Sequence, residues 1–252
     1  MKKKLSILIT AKNEEKQIKD CLNTVNFGDE LVLILDSCED NTKKIASRFT
    51  KKIFCGSWEN EGQRRNFGIQ KCSGDWVLEI DADERASKAL GLEIRNIIKT
   101  SKFDYHIIPV RNFIGKQVVK YGWGAYFGKS AYPGLFKKHC KKWGHQNVHP
   151  EISFEGKKGP MLTNFLTHFY CKDTSDMFKK LNSYSDSRAK DILNLNINEN
   201  MMKNIRRLFS RFWKCYVLRK GYKEREYGFI IALLAALYPL ISFLKYKNIL
   251  KK

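Results

Sequence analysis

This sequence predicts an α/β fold built on a mostly parallel sheet with helices on both faces, and three observations predict it. Strand-like and helix-like segments alternate through the first hundred residues. The run Trp76-Val77-Leu78-Glu79-Ile80 has the length of a strand buried on both faces, and it ends abruptly in Asp81-Ala82-Asp83-Glu84. A second apolar strand, Glu30 to Leu35, also ends in a carboxylate, Asp36. Ligands of open α/β sheets bind beyond the carboxyl ends of the strands, so Asp36 and Asp81 mark one functional edge.

The elements follow in order. Leu5 to Thr10 is the first strand, and Ala11-Lys12-Asn13-Glu14-Glu15 turns into a helix over 14–25, with Ile18, Cys21, Leu22 and Val25 at helical spacing. After the Glu30–Leu35 strand, Ser37 to Thr42 is rich in capping residues and leads a helix through Phe49. Lys52 to Cys55 is a short strand, Gln63 to Lys71 a helix, and Ser87 to Lys99 the helix after the acidic cluster. Past residue 100 the alternation weakens. Asp104 to Val110 alternates like a strand, and Phe113 to Val119 suggests its hairpin partner. Tyr121-Gly122-Trp123-Gly124-Ala125-Tyr126 has the composition of a loop shaped around a ligand, or of ordinary loop packing. Asp173 to Leu195 is a long helix. The expected organisation is an α/β domain over 1–172, divided near residue 100 where the alternation weakens, and a helical extension over 173–252.

A net charge of +21 and a pI of about 9.7 call for an anionic partner: nucleic acid, an acidic membrane surface or a phosphorylated substrate. An apolar content of 43% excludes a disordered chain. The seven cysteines are odd in number and form no Cys-x-x-Cys pair, which suits reduced thiols in the cytoplasm. The apolar run after Met1-Lys2-Lys3-Lys4 is too short for the core of a signal peptide. The run Lys137-Lys138-His139 with Lys141-Lys142 reads as a solvated basic face.

Two stretches carry chemistry. Asp81 and Asp83, two residues apart, can share one hard divalent cation that neutralises a diphosphate; the plainer reading is an acidic turn in solvent. His149 and Glu151, two apart in an extended segment, point to one side. A zinc site from His145 and His149 is disfavoured, because Pro150 spoils the helix such a pair requires. His149 is a structural hydrogen-bonding group or a partner in catalysis, and Glu151 is a candidate general base.

Four motifs in order, Thr10-Ala11-Lys12-Asn13-Glu14, Leu35-Asp36-Ser37 with Asp40-Asn41-Thr42, Arg65-Asn66-Phe67-Gly68 and Asp81-Ala82-Asp83-Glu84, resemble the family 2 glycosyltransferases, whose fold is called GT-A. Further stretches, Arg111 to Lys116, Gly122-Trp123, Leu135-Phe136, Val148 to Glu151 and Thr167-His168-Phe169-Tyr170, are similar to the branch of lipopolysaccharide inner-core β-1,4-glucosyltransferases. The resemblance implies a metal-dependent inverting transfer of a hexose, glucose from UDP-glucose, onto a lipid-linked saccharide such as an inner-core heptose. It implies that Thr10, Glu14, Asp36 and Arg65 hold uridine and diphosphate, that Asp81 contacts the ribose side or the metal, and that Asp83 binds Mg²⁺ or Mn²⁺. Glu151 is then the base, with His149 orienting it. A polyprenyl-phosphate acceptor and a non-enzymatic nucleotide- or membrane-binding module are the alternatives.

The C-terminal extension is basic and amphipathic. Lys203 to Arg225 carries nine cations against the single acid Glu224, interleaved with Phe209, Phe212, Trp213 and Tyr216. That pattern suits the surface of an anionic membrane; nucleic acid is the competing reading. Gly228 to Leu244 is uncharged, contains Pro239, and is expected to form a bent helix lying in the cytoplasmic leaflet, with a true span and burial against the catalytic domain as the alternatives. The chain is thus expected to sit peripherally on the inner face of the inner membrane.

Overall fold

The computed structural model describes residues 3–123, 128–145 and 151–251. The chain divides into two compact units, the first comprising 1–110, 131–145 and 150–168, the second 111–130, 146–149 and 169–252. The chain therefore passes between them several times.

In the first unit, strands β1 (Leu5–Ala11), β2 (Glu30–Asp36), β3 (Ile53–Gly56) and β4 (Trp76–Asp81) pair in parallel in the order β3-β2-β1-β4. Beyond β4 the sheet turns antiparallel through β8 (Ala131–Lys137) and β6 (Tyr105–Ile114), and β5 (Glu84–Ala86) pairs antiparallel with β11 (Leu166–Cys171). A separate antiparallel pair joins β9 (Lys141–Trp143) to β10 (Ile152–Phe154). Each of the first four strands is joined to the next by a helix, the crossover that a parallel pairing needs.

Strand β1 is the centre of this unit, with every residue buried. Its side chains alternate between faces. Leu5, Ile7 and Ile9 join a core with helix α1 (Ile18–Asn23) and helix α4 (Lys88–Thr100), while Leu8 joins the core beneath helix α3 (Glu61–Lys71). Gly68 lets α3 close on the sheet, since a Cβ there would lie 2.6 Å from a methyl of Leu8.

Helices α1 and α2 (Thr42–Ala46) are shorter than their sequence patterns. The residues before them are used in another way. The backbone amide of Glu14 donates to Thr42 Oγ1, that of Glu15 to Asp40, that of Glu39 to the Asn13 side chain, and that of Asn41 to Glu15. These bonds zip the loop after β1 to the loop after β2, and they hold both strand ends in place. Asn13 (φ 55°) and Ser37 (φ 47°) adopt left-handed backbone in these loops, a conformation that persists only where the surroundings fix it.

In the second unit, β6 turns through Gly115 into β7 (Gln117–Val119), the predicted hairpin. Helices α5 (Thr174–Asn194) and α6 (Met201–Trp213) pack on α7 (Arg225–Leu250) around Ile114, Trp123, Met177, Ile231 and Tyr238. The structure bears on three expectations here. Trp123 is a core residue, 6% exposed, with its indole N–H on the Val119 carbonyl at 2.7 Å. Residues 124–127 of the same stretch lie outside the described residues. The basic segment is not one helix: α6 gives way to a π turn at Lys214–Leu218, left-handed Lys220 and a short 3₁₀ turn at Gly221–Glu224. Helix α7 runs unbroken through Pro239, and 56% of its most apolar 18-residue window is buried inside the chain. By length and composition alone it is apolar enough to cross a membrane.

Candidate active site

The site grows from the carboxyl ends of β1, β2 and β4. In the sheet register Thr10 lies beside Asp81 on one side and Ile34 on the other, so Asp36, two residues past Ile34, and Asp81 flank the end of β1. Thr10 is buried, and Glu14 accepts from the Gln17 amide at 2.6 Å. Asp36 accepts from Arg64 Nη1 and Ser37 Oγ, both at 3.2 Å.

Arg65 projects from α3 and is 8% exposed. Its guanidinium donates to three carboxylates: Glu61, Glu79 and Asp81, the last at 2.8 Å. Burial pulls its pKa down, but the charges of Asp81, Glu61 and Glu79 win and hold it well above the ordinary arginine value. Arg65 thus fixes one oxygen of Asp81 from behind.

Behind it stands a residue the motifs do not mark. Glu79 sits in mid-strand with its side chain 1% exposed. Lys141 Nζ, fully buried, donates to Glu79 Oε2 at 2.8 Å, and the Trp143 indole N–H reaches the same oxygen at 3.3 Å. Lys141 also lies 4.4 Å from the centre of the Trp143 ring, an arrangement that favours a cation over the aromatic face. Burial would raise the Glu79 pKa, but Lys141 and Arg65 outweigh it and hold the carboxyl below the ordinary range. The basic run predicted to face solvent therefore contributes a buried cation. A charge inside an otherwise apolar strand was the available signal, because such a charge must find a partner.

The Asp-Ala-Asp turn is braced on every side. The Asp81 amide donates to Glu84 Oε2 at 3.0 Å, and Arg85 donates to the carbonyls of Ala82 and Gln17, each at 2.9 Å. Tyr132 donates to the Glu79 carbonyl and to Glu84 Oε2. Glu84 is fully buried, so it shapes the turn. Asp83 follows, its side chain 21% exposed, with Oδ2 3.2 Å from His168 Nε2 on β11. The pairing of His168 with Glu84 across β5 and β11 sets that meeting. His168 carries no local motif, since it lies 85 residues from Asp83, and its role was missed at the sequence level.

Asp83 and His168 form a donor set of one carboxylate oxygen and one imidazole nitrogen. Neighbouring ligands of a six-coordinate Mg²⁺ or Mn²⁺ at about 2.1 Å lie about 3 Å apart, so the 3.2 Å separation suits a shared divalent ion. Among the described residues no three His, Cys, Asp or Glu side chains gather into a metal cluster, so substrate oxygens and water would complete the shell. Glu151 is exposed, and its carbonyl accepts from the Gly144 amide at 2.7 Å ahead of β10. His149 lies outside the described residues.

Comparison with known proteins finds relatives of this chain. The family model described as "Glycosyl transferase family 2" matches residues 6–154. A protein described as an uncharacterized glycosyltransferase of Rickettsia typhi is 26% identical over 98% of this chain and 88% of its own length. The lipopolysaccharide core biosynthesis glycosyltransferase LpsC of Rhizobium meliloti is 24% identical over 96% of this chain and 91% of its own. Among solved structures, Staphylococcus aureus TarS 1–349 in complex with UDP-GlcNAc superposes with a TM-score of 0.52 at 14% identity, covering 97% of this chain and 88% of that one, a likeness of fold.

Proposed function

The chain belongs to glycosyl transferase family 2, and from that premise we propose that it transfers glucose from UDP-glucose, with inversion, to a lipid-linked saccharide such as an inner-core heptose. The observation that carries this reading is the Asp83–His168 pair at the end of β4, in line with the strand-end residues Thr10 and Asp81. In this reading Asp36, Thr10 and Glu14 receive the uridine side of the donor, and Asp81, aligned by Arg65, borders the diphosphate. Asp83 and His168 would hold Mg²⁺ or Mn²⁺, which would supply positive charge to the departing diphosphate.

An acceptor hydroxyl must lose its proton as its oxygen bonds to the anomeric carbon. A carboxylate on the opposite face of the sugar takes that proton, while the bond from the anomeric carbon to the diphosphate oxygen breaks and UDP leaves. Glu151 is assigned that role, with His149 orienting it. The LPS-core relative and the charge of +21 support an acceptor beside phosphates and acidic sugars.

The test is UDP release from UDP-glucose with heptose-terminated core lipid, in Mn²⁺ or Mg²⁺ and in EDTA. Release that needs both the metal and that lipid is expected. Transfer only to polyprenyl phosphate would replace the acceptor, and no binding of UDP would remove the donor reading. Glu151→Gln is expected to slow turnover about 10²–10⁴-fold with little change in UDP affinity. Unchanged turnover would move the base elsewhere, and not to Glu84, which is buried in the turn.

A further inference from the structure

The second unit presents a surface that its own packing leaves uncovered. On α6, Met202, Ile205, Phe209 and Trp213 recur at intervals of three and four residues, so they stand in one row along the helix. They are 75%, 41%, 69% and 59% exposed. The opposite side of α6 is used internally: Asn204 is buried and donates to the Asn200 carbonyl, and the helix packs on α7. The row continues through Phe212, which meets the half-exposed ring of Phe229 edge-on at 5.8 Å. A helix that buries its polar asparagine and turns four large apolar side chains to water is built for another apolar phase.

The charge around the row narrows the partner. Helix α6 contains no acidic residue. Arg206, one turn from both Met202 and Phe209, is exposed beside the row, and exposed Lys214, Lys220, Lys223 and Arg225 follow it. The one acid between Lys203 and Arg225, Glu224, is 7% exposed and accepts from the backbone amides of Lys120 and Tyr121, so it does not offset these cations at the surface. Two copies joined through this face would bring like charges together. Nucleic acid would meet the cations, but Met202 and Ile205 offer bases no stacking surface. A bilayer with anionic headgroups satisfies both halves: the phosphates meet the cations, and the acyl boundary takes the apolar row.

We propose that α6 lies in the plane of an anionic membrane surface, with Met202, Ile205, Phe209 and Trp213 immersed and Arg206 and Lys214 at the headgroups. The row from Met202 to Trp213 spans roughly 16 Å, a length of contact suited to lying along the interface. This narrows the membrane contact expected of Lys203 to Arg225 to the exposed row of α6; in α7, Ile231, Leu234, Ala235 and Tyr238 are buried in the second unit. The proposal does not depend on the transfer reaction.

Flotation of the full chain with phosphatidylcholine vesicles, with and without 30 mol% phosphatidylglycerol, tests it. Binding to the anionic vesicles only, weakened by salt, is expected. Phe209→Ser/Trp213→Ser is expected to weaken partitioning at least tenfold, and Arg206→Gln/Lys214→Gln by about fivefold for each cation removed. Because all four side chains are exposed, the melting temperature of each variant should match the parent. Trp213→Phe keeps binding but should lose part of the quenching of tryptophan fluorescence by brominated lipid. Equal binding to neutral vesicles, full binding by the Phe209/Trp213 variant, or unchanged quenching in Trp213→Phe would overturn the proposal. So would displacement of the chain from vesicles by duplex DNA, or a concentration-dependent dimer that the Phe209/Trp213 substitution dissolves without any vesicle binding.

Discussion

Glu79 and Asp83 stand four residues apart, one inside β4 and one in the turn that follows, and they are compensated in opposite ways. Glu79 is held by two permanent cations, Lys141 and Arg65, with its side chain 1% exposed. Asp83 is 21% exposed at its side chain and meets an imidazole, which is charged only when protonated. A carboxylate closed by lysine and arginine has its charge spent on the fold. A carboxylate beside an imidazole can exchange a proton for a divalent ion. Two acids four residues apart thus differ: Glu79 positions Asp81 through Arg65, and Asp83 keeps a partly exposed carboxylate beside His168.

The sharpest way to break this contrast is to remove one cation. Lys141→Met leaves Glu79 buried with half of its compensation and is expected to cost about 3–5 kcal/mol of stability, read by urea denaturation. A loss below about 1 kcal/mol would mean that the pair is not buried as described. Glu79→Gln/Lys141→Met removes both charges and is expected to recover part of that loss, which a double-mutant cycle measures.

Asp83→Ala is expected to do the reverse. Transfer should fall about 10²–10³-fold while the urea midpoint stays near that of the parent. Near-normal transfer would remove Asp83 from the site. His168→Ala is expected to act more mildly, weakening Mn²⁺-dependent UDP binding about 10–100-fold by calorimetry. Unaltered metal dependence of UDP binding in that variant would make the imidazole a structural partner only.

The smallest effect is in acid. The folded-state pKa of Glu79 is depressed, so its contribution to stability is complete above the unfolded value of about 4.3 and is lost as pH falls through the folded value. Glu30 behaves alike. Burial raises it, but hydrogen bonds from Lys52, Ser6 and Ser73 bring it down to about 2. Stability should therefore fall between about pH 4.5 and 2, and Glu79→Gln should flatten part of that fall. An identical acid limb in the variant would show that Glu79 is not compensated in the folded state.

Much of the fold was legible. The apolar runs at Leu5, Glu30 and Trp76 and the carboxylates that end two of them mark parallel strands, because a strand buried on both faces has no polar alternation and must stop where water begins. The capping residues Asp40 and Thr42 were read as helix starters, and they serve more to lock two loops together across the strand ends. Hydrogen-bonding capacity is visible in sequence; the choice between a local and a distant partner is not.

By itself the sequence determined the order of strands and helices in the nucleotide-binding half, the edge on which Asp36 and Asp81 lie, and the existence of a basic, amphipathic C-terminal region. Those features follow from local periodicity and from the change from apolar to charged residues, which each segment carries alone. Only the tertiary structure decided that Lys141 is buried against Glu79, that His168 meets Asp83 across 85 residues, and that Met202, Ile205, Phe209 and Trp213 of α6 are exposed while Ile231, Leu234 and Ala235 of α7 are buried. The reason is physical. Charge and hydrophobicity belong to a residue, but their energetic consequence depends on which distant segments exclude water from it.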